Sequence, residues 1–230
     1  MGLKDKLKLV KENILNSQNK VERNSKVEII AVTKTHPFKI IEDSYQAGFL
    51  SIGENRVQEA SDKFGSFDSM PRLKKRFIGH LQSNKLKRCL NLFDTIDSID
   101  STSLIKKVSN FGQRTDKKIS VLLEVNTSNE KQKYGFLPEE KEELLSCFEE
   151  PGVLITGLMT VAPFTTDEKK IRSSFKTLRD LKENLNSFLG DKKMCELSMG
   201  MSNDYKIAIE EGSTMIRLGT LLFGQRGSYN

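Results

Sequence analysis

Leu197-Ser198-Met199-Gly200-Met201-Ser202-Asn203-Asp204 and, a little further on, Arg217-Leu218-Gly219-Thr220-Leu221-Leu222-Phe223-Gly224 govern how the rest of the chain is read. Each begins in a short apolar run, over 195–198 and 215–218, and each run gives way to small hydrogen-bonding residues. Glycine lets the backbone approach a ligand closely, and the free N–H groups of a helix N-terminus favour an anion. Two such ends side by side would cradle a phosphate, and the last two strands of a parallel α/β barrel are the usual place for one. Gly200 and Gly219 read equally well as turn residues and Ser202 as a helix cap. What separates these readings lies upstream.

There the same unit recurs. Leu3, Leu7, Val10 and Ile14 stand at helical spacing and predict an amphipathic helix over 3–17. The β-branched run over 27–33 predicts a buried strand with Lys34 as its last residue, broken by Thr35-His36-Pro37. A helix over 40–48 then closes on Gly48. Further strands are predicted at 50–53, 76–81, 94–99, 119–125 and 153–161. The helices between them run through Val57 and Ala60, from Gln82, from a Ser101 cap, over 138–148 and over 171–189. The last has Phe175, Leu178, Leu181, Leu185 and Phe188 as its apolar stripe. With the two closing strands this makes about eight strand–helix units, each long enough for a crossover between parallel strands. The pattern predicts an α/β fold, a single closed (β/α)8 TIM barrel, over an open doubly wound sheet. No linker divides the chain, so one domain over 1–230 is expected.

At 230 residues the chain can bury a large core, and its 37% hydrophobic, 30% charged composition is that of a globular protein. A net charge of +6 favours anionic ligands. The basic run Arg72-Leu73-Lys74-Lys75-Arg76 has no interleaved aromatics, so nucleic acid is not an expected partner. Cys89, Cys147 and Cys195 are odd in number and far apart, as free thiols of a reducing compartment would be. Two His without clustered ligand spacing predict no metal site. The opening Met-Gly-Leu-Lys-Asp-Lys carries no apolar run and no stretch is long enough to span a membrane, which points to the cytoplasm.

In such a barrel the C-terminal strand ends share one mouth. Read in order they are Lys34, Glu54-Asn55, His80, Asp100, Asn126, Met159-Thr160, Ser202 and Arg217-Gly219-Thr220. A surface lysine is normally a solvated charge, but desolvation at the end of an apolar strand would make the Lys34 amine nucleophilic. A nucleophilic amine beside a phosphate cradle suits an imine with an aldehyde-bearing phosphate, pyridoxal 5'-phosphate above all. Arg217 and Gly219, two apart in a strand, share a face. Arg217 reads as a donor to a ring nitrogen or a phosphate oxygen, or as the partner of a nearby carboxylate. His80 reads as a stacking residue, an acid or base, or a hydrogen-bonded wall residue, and Met159 as packing.

Several blocks carry a family resemblance: Ala31-Val32-Thr33-Lys34-Thr35, Gly53-Glu54-Asn55-Arg56-Val57-Gln58-Glu59, Phe77-Ile78-Gly79-His80-Leu81-Gln82-Ser83-Asn84-Lys85, Gly157-Leu158-Met159-Thr160, Leu197-Ser198-Met199-Gly200-Met201-Ser202 and Arg217-Leu218-Gly219-Thr220. They resemble the pyridoxal phosphate homeostasis protein family, single-domain relatives of the alanine racemase N-terminal barrel, from near residue 10 to Arg226. The resemblance implies the cofactor held as a Schiff base on Lys34, with phosphate contacts from Ser202, Gly219 and Thr220. It also implies Arg217 close to the ring or the phosphate, and Asn55 near the ring. One departure is Lys75-Arg76, where many relatives carry aromatic and His residues; these lie at a strand start, far from the mouth.

Holding this cofactor does not make a catalyst. Racemisation needs a second acid or base on the substrate's other face and a shielded pocket. The resembled racemases take those groups from a second, β-rich domain and a partner subunit, whereas this chain stops at Asn230 soon after its last strand. Tyr134 is the nearest replacement and reads as a loop residue packing on the barrel. The expectation is a non-catalytic monomer that buffers or carries pyridoxal phosphate in vitamin B6 homeostasis, with cofactor-dependent apo-enzymes as recipients. The alternative is an amino-acid racemase of the alanine racemase type.

Overall fold

The computed structural model describes residues 1–191 and 194–224; Arg226 and Asn230 lie outside them. Eight parallel strands close into one barrel in chain order, β1 (Glu28–Val32), β2 (Ser51–Glu54), β3 (Lys74–Phe77), β4 (Thr95–Ile99), β5 (Ile119–Glu124), β6 (Val153–Met159), β7 (Glu196–Met201) and β8 (Met215–Leu218), with β8 pairing back onto β1. Helix α1 (Leu3–Asn19) precedes β1, and the connections carry α2 (Phe38–Ala47), α3 (Val57–Lys63), α4 (Leu86–Leu92), α5 (Thr102–Arg114), α6 (Lys141–Ser146), α7 (Glu168–Asn186) and α8 (Tyr205–Glu210), with α9 (Thr220–Phe223) after β8.

Alternation along each strand sorts side chains between two cores. In β8, Ile216 and Leu218 face outward and pack with Leu7, Val10 and Ile14 of α1 and with Tyr205 and Ile209 of α8. Met215 of β8 faces inward, where it forms a thin apolar layer with Ile30, Leu122 and Met159. The larger outer cluster joins β3 to β7 to α3, α4, α5 and α7 through residues such as Phe77, Ile96, Val121, Leu158, Phe175 and Leu178. Ser101 caps α5 by accepting from the Leu104 N–H, as the sequence predicts. Asp167 caps α7, accepting from Lys169 and Lys170.

Several boundaries differ from expectation, four of them near functional or packing residues. β1 ends at Val32, so Lys34 stands in a turn beyond the strand rather than at its end. β3 begins at Lys74 and ends at Phe77, because it pairs from Ser51↔Lys74 to Glu54↔Phe77 and then leaves the sheet. At that exit Gly79 crosses Asn55 so closely that a Cβ would sit 2.3 Å from the Asn55 carbonyl oxygen. β7 continues past Ser198 to Met201. Helix α7 stops at Asn186, which leaves Phe188 out of the stripe and 68% exposed.

The floor of the barrel, beneath the apolar layer, is ionic. The basic run over 72–76 sends Arg76 inward, 1% exposed. Its guanidinium donates to Glu28 at 3.2 and 3.0 Å, to Asp97 at 3.2 and 3.1 Å and to Ser51 at 3.2 Å. Burial acts against this charge, but Asp97 and Glu28 outweigh it and hold the Arg76 pKa above its usual value. With two carboxylates facing one guanidinium, nothing there is left for a ligand.

Candidate functional site

The opposite end of the barrel gathers the predicted residues. Pairing registers Val32 with Gly53 and Ala31 with Leu218, so the turn bearing Lys34 emerges between Asn55 on one side and Gly219 on the other. The Thr33 N–H donates to the Gly53 carbonyl at 3.1 Å, and a Cβ on Gly219 would lie 3.6 Å from the Cβ of Val32. Lys34 itself is half-buried.

The two closing loops are tied to each other. The Leu221 N–H, next to Thr220, donates to the Ser202 hydroxyl at 3.2 Å, bridging the turns that follow β7 and β8. Gly200 makes room for this: its φ is +96°, and a Cβ there would meet the Ala208 Cβ at 2.5 Å, so only glycine lets β7 turn directly into α8. Ser202 and Gly219 are half-buried and Thr220 is exposed, an arrangement open to solvent on one side.

Arg217 is buried, its guanidinium donating to the Ser198 carbonyl and hydroxyl, each at 2.8 Å, and to the Thr160 carbonyl at 2.7 Å. These neutral acceptors replace the carboxylate partner that the sequence left open. Burial pushes the Arg217 pKa below its usual value, while Glu124, Asp204 and Asp97 act the other way. Thr160 is braced in turn by its hydroxyl bonds to the Val125 carbonyl at 2.7 Å and to Thr127 at 2.9 Å, and Thr127 reaches Ser174 of α7 at 2.6 Å.

Across the mouth, His80 Nδ1 lies 2.7 Å from Asp100 Oδ2, and its ring stacks on Tyr134 with centroids 3.7 Å apart at 10°. Tyr134 thus covers an imidazole rather than the barrel wall, and is 56% exposed. Glu124, which ends β5, has its carboxyl pushed up to about 7 by burial and by Asp100, with Arg217 opposing. Met159 is packing, as expected. Asn126 shapes its own loop instead of facing the mouth, donating to the Glu130 carbonyl at 3.0 Å and accepting from Ser128.

Of the six residues singled out as ligand contacts, Lys34, Asn55, Ser202, Arg217, Gly219 and Thr220 all come to this end. Sequence reasoning missed Glu124, although one acid in the apolar run Ile119-Ser120-Val121-Leu122-Leu123-Glu124-Val125 was a visible signal. It also missed Ser198 and Thr160 as the groups that hold Arg217, since no local pattern marks a side chain bonded from two strands away.

Known proteins share this fold. A family model for the alanine racemase N-terminal domain matches residues 6–227. A pyridoxal phosphate homeostasis protein of Aquifex aeolicus is 35% identical, covering 98% of this chain and 99% of that one. One from Haemophilus influenzae is 34% identical over 98% and 97%. Among solved structures, PipY of Synechococcus elongatus PCC7942 with PLP bound superposes with a TM-score of 0.85 at 32% identity, covering 96% of this chain and all 100% of that one. An alanine racemase of Clostridium difficile 630 reaches a TM-score of 0.73 at 16% identity, covering 98% of this chain and 57% of its own, a likeness of fold alone. A single alanine racemase-type barrel, matched along almost its whole length by relatives of one name, makes this chain a member of the pyridoxal phosphate homeostasis protein family.

Proposed function

We propose that this chain, as one domain over 1–230, binds pyridoxal 5'-phosphate as a Schiff base on Lys34. The observation that carries the reading is the register across the β1–β8 seam, which brings the Lys34 turn beside Gly219 and the Ser202–Leu221 bridge. The residues suit the cofactor's chemistry: an amine, a hydroxyl with backbone N–H groups for a phosphate, and a buried guanidinium among neutral acceptors for a ring nitrogen or a phosphate oxygen. When bound, the cofactor supplies an aldehyde carbon that an amine engages reversibly. Lys34 provides that amine, Ser202, Gly219 and Thr220 hold the phosphate, and Asn55 flanks the ring.

The role we infer is buffering or carriage within the cytoplasm, by a monomer that hands the cofactor to apo-enzymes. The homeostasis names of the relatives support a role in cofactor supply. A racemase would need an acid or base opposite Lys34; of the two histidines near the mouth, His36 shares the Lys34 turn with its ring 5.2 Å from that of Phe223, and His80 pairs Nδ1 with Asp100 beneath the Tyr134 ring. The test is the visible spectrum with added pyridoxal phosphate, before and after borohydride, with the labelled peptide mapped. A reducible band fixed to Lys34 and absent from Lys34→Ala is expected. A band retained in Lys34→Ala sinks the assignment, and racemisation of alanine at ordinary enzyme rates, about 10 per second, sinks the carrier reading.

A further inference from the structure

The turn bearing Lys34 is gripped from behind by a cluster that faces away from the mouth. Lys63, the last residue of α3 and 8% exposed in its side chain, donates to Glu54 Oε1 at 2.5 Å, to the Thr33 carbonyl at 3.0 Å and to Glu59 Oε1 at 3.4 Å. Glu54 is fully buried, and the same Oε1 accepts the Thr33 hydroxyl at 2.6 Å. Its other oxygen has no hydrogen-bond partner among the described residues. Glu59 accepts the Thr35 backbone N–H. The residues immediately before and after Lys34 are therefore both bonded to this one cluster.

Two features make this more than ordinary packing. Thr35 has a φ of +66°, a left-handed conformation that disfavours a β-branched residue and persists only where its surroundings over-determine it. Burying the Glu54 carboxylate against the Lys63 ammonium is likewise an expensive way to join a helix to a strand, where apolar contact would serve. The return on both is a fixed direction for the side chain between them.

We propose that Glu54, Glu59 and Lys63 are positioning residues for Lys34, a clamp that sets the backbone on either side of it so that the amine is aimed between Asn55 and Gly219. This rests on the reading of Lys34 as the reacting amine. A loose turn would leave the phosphate cradle intact but cost the covalent bond its alignment.

The experiment uses the full chain and two probes, pyridoxal 5'-phosphate and pyridoxine 5'-phosphate, which shares the ring and phosphate but lacks the aldehyde. Lys63→Met would leave Glu54 buried without its cation and risks unfolding, so the variants are Glu59→Ala and Glu59→Gln at a half-exposed carboxylate. Glu59→Ala is expected to weaken pyridoxal phosphate binding and slow formation of the reducible band about tenfold, with pyridoxine phosphate binding within about twofold of wild type. Glu59→Gln, whose amide oxygen still accepts the Thr35 N–H, should restore the band. A Lys34-dependent band that Glu59→Ala leaves unchanged overturns the clamp alone, as does equal weakening of both probes. A band that survives Lys34→Ala overturns the reading of Lys34 itself, whatever Glu59→Ala does.

Discussion

Two arginines point into the same barrel, and their surroundings are opposites. Arg76 on the floor faces Glu28 and Asp97 and is held above its usual pKa. Arg217 at the mouth is also buried, bonds carbonyls and a hydroxyl among the described residues, and is pushed below. A buried cation neutralised within the chain is finished structure. A buried cation given only dipoles keeps an unspent attraction for a negative or electron-rich ligand. Glu124 marks the same difference from the other side: it sits near Arg217 yet titrates at about 7, so at neutral pH it only partly balances that charge.

The contrast is broken most violently at the floor. Arg76→Leu would strand two carboxylates and should cost about 3–5 kcal/mol, lowering the melting temperature by roughly 10 °C, with ligand affinity little changed. Replacing Glu28 and Asp97 with apolar residues as well should restore most of the loss in the same melting assay. If Arg76→Leu melts like wild type, the floor is not held by that cluster.

Arg217→Met should reverse the pattern. Its lost bonds to neutral acceptors cost about 1–2 kcal/mol of stability, while affinity for pyridoxal phosphate, measured by titration, drops about tenfold or more. An equal fall in stability for both arginines would erase the distinction.

Glu124→Gln sharpens the comparison through pH. The native carboxyl holds its proton more tightly than the unfolded one, about 7 against 4.5. Wild-type stability should therefore decline relative to Glu124→Gln as pH rises between those values, with the deficit complete above about 7 and absent below 4.5. Parallel melting curves across that window would remove Glu124 from the account.

The barrel was legible because the apolar pattern switches repeatedly between short continuous runs and helical spacing, as from 27–33 to 40–48, and that rhythm is local. The mouth was legible for the same reason, since it is the set of residues at which each run stops. What stayed hidden is set by partners far along the chain. Arg76 ends a basic run that shows no inward partner; only its register against Gly53 and Thr95 turns it inward, toward Ser51 and Asp97. Glu59 and Lys63, four apart on α3, read as an everyday helix-surface pair, and nothing nearby tells that Thr33 and Thr35 complete the set. Lys34 was found, but its turn was not, because the strand loses its last residues to those bonds.

The seam between β1 and β8 joins the first strand of the chain to the last. Lys34 leaves one side of that joint and Gly219 the other, so the two halves of the site are separated by nearly the whole polypeptide. On a ribosome the lysine emerges early and waits, and no pocket exists until the final strand has been made and has found its place. Closing so long a loop is the slow, entropically costly part of building a barrel. A ligand that bridges the two loops acts as a staple across the last-formed joint: it binds only finished barrels, and by mass action keeps them shut.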